Sequence, residues 1–181
     1  MVGNKGALLC QFSLYDKQMC FVNCHLESGA FKGRERLEMA ANALKQVSTS
    51  KDKLEPDAIV DFSFFIGDTN SRFKTTYSEF IEHIEQAPQH IPLYDELHEA
   101  LSLNHRFPGY HEEPISFMPT YKREDKVNDS YINKKEQAPS YCDRILAKCL
   151  DDKASLKYHT YDCRDQIFGS DHRPVFLDMS L

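Results

Sequence analysis

Apolar and polar residues along this chain change period several times, and each change marks an element. Residues 7–14 and 19–24 are rich in β-formers, and the polar Tyr15-Asp16-Lys17-Gln18 between them predicts a hairpin. His25 then falls at the C-terminal end of the second strand. From Gly33 to Val47, the apolar Leu37, Ala40, Ala41, Leu44 and Val47 recur at helical spacing among Arg34, Glu35, Arg36, Glu38 and Lys45. The polar stretch Ser48 to Lys53 ends that amphipathic helix. Residues 58–66 form a mostly apolar run stopped by Gly67, the mark of a buried central strand whose end delivers Asp68 and Asn70 into a turn. Two further helical patterns lie near 76–86 and 92–102. Arg106 to Gln137 reads mostly as loop, with Lys122 to Glu136 its most polar part, and strands are predicted at 141–148, 155–161 and 173–180. The chain shows no internal repeat and no linker signature, so 1–181 reads as a single domain of α/β class.

Composition narrows the picture. With 181 residues, 41% of them hydrophobic, the chain can bury one core. A net charge of −6 argues against a general nucleic-acid binder, which needs excess Lys and Arg against phosphates. It leaves room for a local cationic pocket around one anionic head group. The six cysteines form no CxxC pair and no zinc spacing, and they read as reduced thiols of a cytoplasmic protein. Cys20 and Cys24 share one face of a strand and read as packing residues. No window approaches the roughly 18 apolar residues of a membrane span.

Four short clusters carry candidate chemistry: Cys24-His25-Leu26-Glu27-Ser28-Gly29, Gly67-Asp68-Thr69-Asn70, Pro139-Ser140-Tyr141-Cys142-Asp143-Arg144-Ile145-Leu146 and Ser170-Asp171-His172-Arg173-Pro174-Val175. Taken singly, Asp68-Thr69-Asn70 is a turn after a strand and Ser170-Asp171-His172 a loop entering one. Together they supply carboxylates, an amide and imidazoles, the groups needed to activate water and to neutralise charge on a phosphoryl group.

In this order, the clusters resemble the inositol polyphosphate 5-phosphatases, a Mg2+-dependent branch of the group that also holds deoxyribonuclease I and the apurinic endonucleases. The resemblance runs from about Gly3 to Val175. It implies a DNase I-like four-layer sandwich of two mostly antiparallel β-sheets flanked by helices. It also implies hydrolysis of the 5-phosphate of a phosphoinositide lipid or a soluble inositol phosphate at a peripheral membrane surface, with no nucleic-acid partner. Asp68 would activate water. His25, Asn70 and His172 would stabilise the phosphoryl group, His172 paired with Asp143, and Asp171 would lie at the metal. Arg144 is placed on the substrate side, where it could buttress the site by pairing with a carboxylate.

Pro119-Thr120-Tyr121-Lys122 resembles the segment whose Tyr and Lys hold the neighbouring 4-phosphate, so Tyr121, Lys122 and Lys135 join the substrate set. Gln137 stands where the family usually has an arginine, which should weaken that hold. Asn4-Lys5-Gly6 matches a family turn from which Lys5 would reach a phosphate facing the membrane, and Ala30-Phe31 falls where the family has a membrane-touching loop. Two family metal-holding residues, an Asn and a Glu, precede this turn. The chain therefore reads as the C-terminal two-thirds of a catalytic domain with its N-terminal strands missing, a fragment rather than a short product. Three functions stay open: a Mg2+-dependent 5-phosphatase, a catalytically weak or inactive phosphoinositide binder, and a related endonuclease.

Overall fold

The computed structural model describes residues 4–49, 60–103, 106–126, 130–133, 135–150 and 155–181. β1 (Gly6–Leu14) and β2 (Lys17–His25) form the expected hairpin, closed by a tighter turn than predicted, Tyr15-Asp16 alone. Their antiparallel register runs from Gly6 opposite His25 to Leu14 opposite Lys17. α1 (Gly33–Thr49) crosses over to β3 (Phe62–Asp68), which pairs parallel with β2, and β4 (Asp143–Cys149) pairs antiparallel with β3. The sheet order is β1-β2-β3-β4.

Period-two alternation divides this sheet's residues between two cores. One face sends Cys20, Val22, Cys24, Phe65 and Leu146 against Ala40, Leu44 and Val47 of α1. Cys20 and Cys24 are buried packing residues, as expected. The other face sends Met19, Phe62, Phe64 and Ala147 toward Tyr158 and Met179. Those two belong to a second, antiparallel sheet of β5 (Lys157–Cys163) and β6 (Val175–Ser180). The result is two packed sheets with flanking helices, antiparallel except between β2 and β3.

Several predicted boundaries shift. The strand expected over 58–66 begins at Phe62; residues 58–59 lie outside the described set, and Asp61 accepts Gln18 N–H with its carboxylate at 2.6 Å instead of extending the strand. The pattern at 76–86 gives α2 (Tyr77–Glu82), started by a capping box of Thr76 and Glu79, then a 3-10 helix (Ile84–His90) containing Pro88. The pattern at 92–102 gives α3 (Ile91–Tyr94) and α4 (Glu96–Ser102), separated where Asp95 turns extended and caps His98 N–H at 2.8 Å. Strands expected from 141, 155 and 173 begin at Asp143, Lys157 and Val175. The described residues between Arg106 and Gln137 form neither helix nor named strand, as predicted.

Buried arginines fasten these loops. Arg36 pairs with Glu96 through Nε at 2.9 Å and Nη2 at 2.6 Å, and it also donates to the carbonyls of Glu27 and Gly29, fixing the loop after His25. Removing one member of such a buried pair costs about 3–5 kcal/mol, because the other charge is stranded.

Candidate active site

Strand register builds the site. His25 is the Cα partner of Asp68, and Asp68 is the partner of Asp143. The ends of three adjacent strands therefore bring an imidazole and two carboxylates into one row. The row depends on Gly67, whose φ is +119° and where a Cβ would meet the Cys24 carbonyl oxygen at 2.3 Å.

Beyond Asp68 the chain turns sharply. Thr69 donates its N–H to the Cys142 carbonyl at 2.7 Å, and Asn70 adopts a φ of 52°, a conformation that Asn tolerates better than most residues. Asn70 N–H donates to Asp68 Oδ1 at 2.9 Å. Its side-chain Nδ2 donates to the Leu26 carbonyl at 3.1 Å and to Asp68 Oδ2 at 3.2 Å. His25 Nε2 lies 3.2 Å from the same Asp68 oxygen, and Lys5 Nζ contacts His25 Nε2.

The opposite wall is His172, whose Nδ1 is 2.9 Å from Asp143 Oδ2, an oxygen that also accepts Thr120 Oγ1 at 2.7 Å. The Tyr121 ring lies on the His172 ring with centroids 4.6 Å apart. Burial pulls the His172 pKa down, but the hydrogen bond and charge of Asp143, helped by Asp68 and Asp171, outweigh it, and the net shift is upward. Burial and the Asp143 charge raise the Asp68 pKa. Asp68, Asp143 and His172 each offer a ligand atom within 4.8 Å of the others. Two carboxylates there suit a hard divalent cation.

The structure thus brings Lys5, His25, Asp68, Asn70, Tyr121, Asp143 and His172 together. Three expected residues behave differently. Arg144 is fully buried and bound to Asp95 and Glu112 at 2.8 and 2.7 Å, so it cannot face substrate; it is an internal pairing residue. Asp171 lies outside the cluster of ligand atoms that could hold a metal, and its carboxylate takes Lys122 Nζ at 2.6 Å. Hydrogen bonding to Asp171 raises the Lys122 pKa, and although burial pushes the Asp171 pKa up, Lys122 brings it down on balance. Lys135 stands apart, exposed, lining a cleft of about 920 Å³ with Phe31, Arg72, Lys74 and Gln137. Thr120 and Arg72 were not singled out from sequence; Thr120 sits inside the Pro119–Lys122 segment and Arg72 two residues past Asn70, so position alone offered the signal.

The sequence profile of endonuclease/exonuclease/phosphatase family 2 matches residues 1–178. Phosphatidylinositol 3,4,5-trisphosphate 5-phosphatase 2A of Danio rerio is 35% identical over 97% of this chain and 15% of its own length. Type IV inositol polyphosphate 5-phosphatase 11 of Arabidopsis thaliana is 33% identical over 98% of this chain and 52% of its own. The 5-phosphatase domain of spSynaptojanin, solved with inositol (1,4)-bisphosphate and calcium ion, superposes with a TM-score of 0.78 at 29% identity, covering 97% of this chain and 50% of that one. Cimex nitrophorin, at 24% identity and a TM-score of 0.74, shares the fold. The chain spans about half or less of the length of the 5-phosphatases it matches.

Proposed function

This chain belongs to the endonuclease/exonuclease/phosphatase family, on its inositol polyphosphate 5-phosphatase branch, and on that premise we propose that it hydrolyses the 5-phosphate of phosphoinositides or inositol polyphosphates. The observation that carries this reading is the row His25–Asp68–Asp143 closed by His172. Asp68 orients water and takes its proton. His25 and His172 face the charge that develops on the phosphoryl oxygens, and Asn70, whose Nδ2 protons go to the Leu26 carbonyl and to Asp68, orients the Asp68 carboxylate rather than donating to the phosphate. Because His172 Nδ1 is committed to Asp143, its exchange with a ligand takes place at Nε2. A divalent cation, Mg2+ in our reading, would be held by the carboxylates of Asp68 and Asp143 and would supply neutralisation of phosphoryl charge.

Tyr121 and Lys122 line the His172 wall and would meet a neighbouring ring phosphate, while Lys5 sits on the His25 side and Lys135 lies in the separate cleft. Phe31 is 99% exposed and is our choice for a membrane contact, which suits a protein working transiently at cytoplasmic membrane surfaces. A net charge of −6 argues against nucleic acid as substrate. A second reading, head-group binding with little turnover, draws on Asp171 being tied to Lys122 rather than adding a third carboxylate to the cluster.

Phosphate release from PI(4,5)P2 and from soluble inositol phosphates, with Mg2+ and with EDTA, tests the reading. Turnover that needs the cation and disappears in Asp68→Asn supports it. Binding without turnover supports the second reading, and cleavage of duplex or abasic DNA would overturn both.

A further inference from the structure

The described structure buries five arginines: Arg36, Arg72, Arg123, Arg144 and Arg173. Arg36, Arg123 and Arg144 pair with carboxylates, and Arg173 donates to four backbone carbonyls. Arg72 differs. It is 7% exposed, its Nε and Nη1 have no hydrogen-bond partner among the described residues, and none of their carboxylates pairs with it. A buried cation without a counter-charge is costly, so its retention calls for a reason other than stability.

Its contacts supply one. Arg72 Nη2 donates to Asn70 Oδ1 at 2.6 Å. The guanidinium carbon sits 4.9 Å from the centroid of the Tyr121 ring, the ring that lies on His172. Arginine is a donor only, so it can meet the oxygen of the Asn70 amide and never the nitrogen. With Oδ1 held, Nδ2 must point to Asp68 and the Leu26 carbonyl, as it does. A positive charge on Oδ1 also polarises the amide and makes Nδ2 a stronger donor. The same plane supports Tyr121 and, through it, the wall that carries His172.

We propose that Arg72 is a positioning residue: its guanidinium locks the Asn70 amide in the donating orientation and braces Tyr121 against His172. The catalytic consequence rests on the phosphatase reading; the lock itself does not. Burial favours the lock over direct substrate binding, because Nε and Nη1 are closed off from solvent and Nη2 is already bound to Asn70.

The test uses the full chain and the variants Arg72→Lys and Arg72→Ala, the second with and without added guanidinium chloride at low, non-denaturing concentration. The first readout is the side-chain NH2 signal of Asn70 in 15N NMR, assigned by its disappearance in Asn70→Ala. We expect slow proton exchange in the parent chain, fast exchange in both variants, and partial recovery of protection in Arg72→Ala with guanidinium. The second readout is turnover. A misplaced group costs roughly 100-fold, and here the loss should fall on kcat with KM changed by less than about threefold. Lysine, a point charge without the planar fork, should not restore it.

An unchanged Asn70 signal in a folded Arg72→Lys chain overturns the proposal, and so does Arg72→Lys activity equal to the parent. If the parent itself releases no phosphate, the phosphatase reading fails and the Asn70 signal alone decides. If Arg72→Ala fails to fold, Arg72→Lys, which keeps the buried stem and charge, carries both readouts.

Discussion

Asp68 and Asp143 are Cα partners at the end of the antiparallel β3–β4 pair, which sets two carboxylates side by side at one sheet end. Burial disfavours ionisation of Asp68, the Asp143 charge adds to that, and the Asp68 pKa rises accordingly.

An acid bound more tightly to its proton in the folded state loses stability as pH climbs from its unfolded toward its folded value, and the loss persists above that. Asp68→Asn removes the penalty, so Tm at neutral pH should rise by roughly 2–4 °C per kcal/mol gained, while phosphate release is lost. Parallel calorimetry at pH 4 and pH 7 reads the effect; a variant less stable than the parent at pH 7 would contradict it.

His172 titrates in the opposite sense. Its pKa is raised on balance by Asp143, so the imidazolium adds stability below the ordinary histidine value, and that stability is lost as pH rises through the folded value. Asp143→Asn should lower the His172 pKa and pull the alkaline limb of activity to lower pH. Histidine NMR titration of parent and variant measures this directly, and an unshifted His172 would rule out the pairing as its cause.

Arg144 should behave as a structural residue. Arg144→Met strands Asp95 and Glu112 in the interior and is expected to lower unfolding free energy by about 3–5 kcal/mol in urea titration. Inositol bisphosphate affinity of the fraction that remains folded should change by less than about threefold. A large affinity loss without destabilisation would return Arg144 to the substrate set.

Lys122 and Asp171 should act as a unit. Lys122→Met and Asp171→Asn, measured singly and together for inositol bisphosphate binding, should miss additivity by about 0.5–3 kcal/mol. Additive effects would mean that the 2.6 Å contact does not shape recognition.

Much of this arrangement was legible in the residues. The hairpin, α1 and the β3 run announce themselves by period, and Gly67 marks the strand end that places Asp68. Asp143 and His172 were found through their motifs, and their pairing appears at 2.9 Å. What sequence hid were partners set by long-range packing. Nothing local to Arg144 shows that Asp95 and Glu112 surround it, and nothing near Asp171 shows that Lys122 reaches it from 49 residues away. The division of 76–102 into four short helical pieces was also hidden, because its apolar spacing hardly registers that Asp95 leaves the helix to cap the next one.

The register of β2, β3 and β4 also bears on how the molecule assembles. His25, Asp68, Asp143 and His172 come from the length of the chain, and the parallel β2–β3 pair joins strands separated by the crossover through α1. Contacts between distant residues form slowly, because chain entropy is lost before they repay it. On refolding from denaturant, helical signal should therefore return before the site does, and recovered ligand binding would mark the final step.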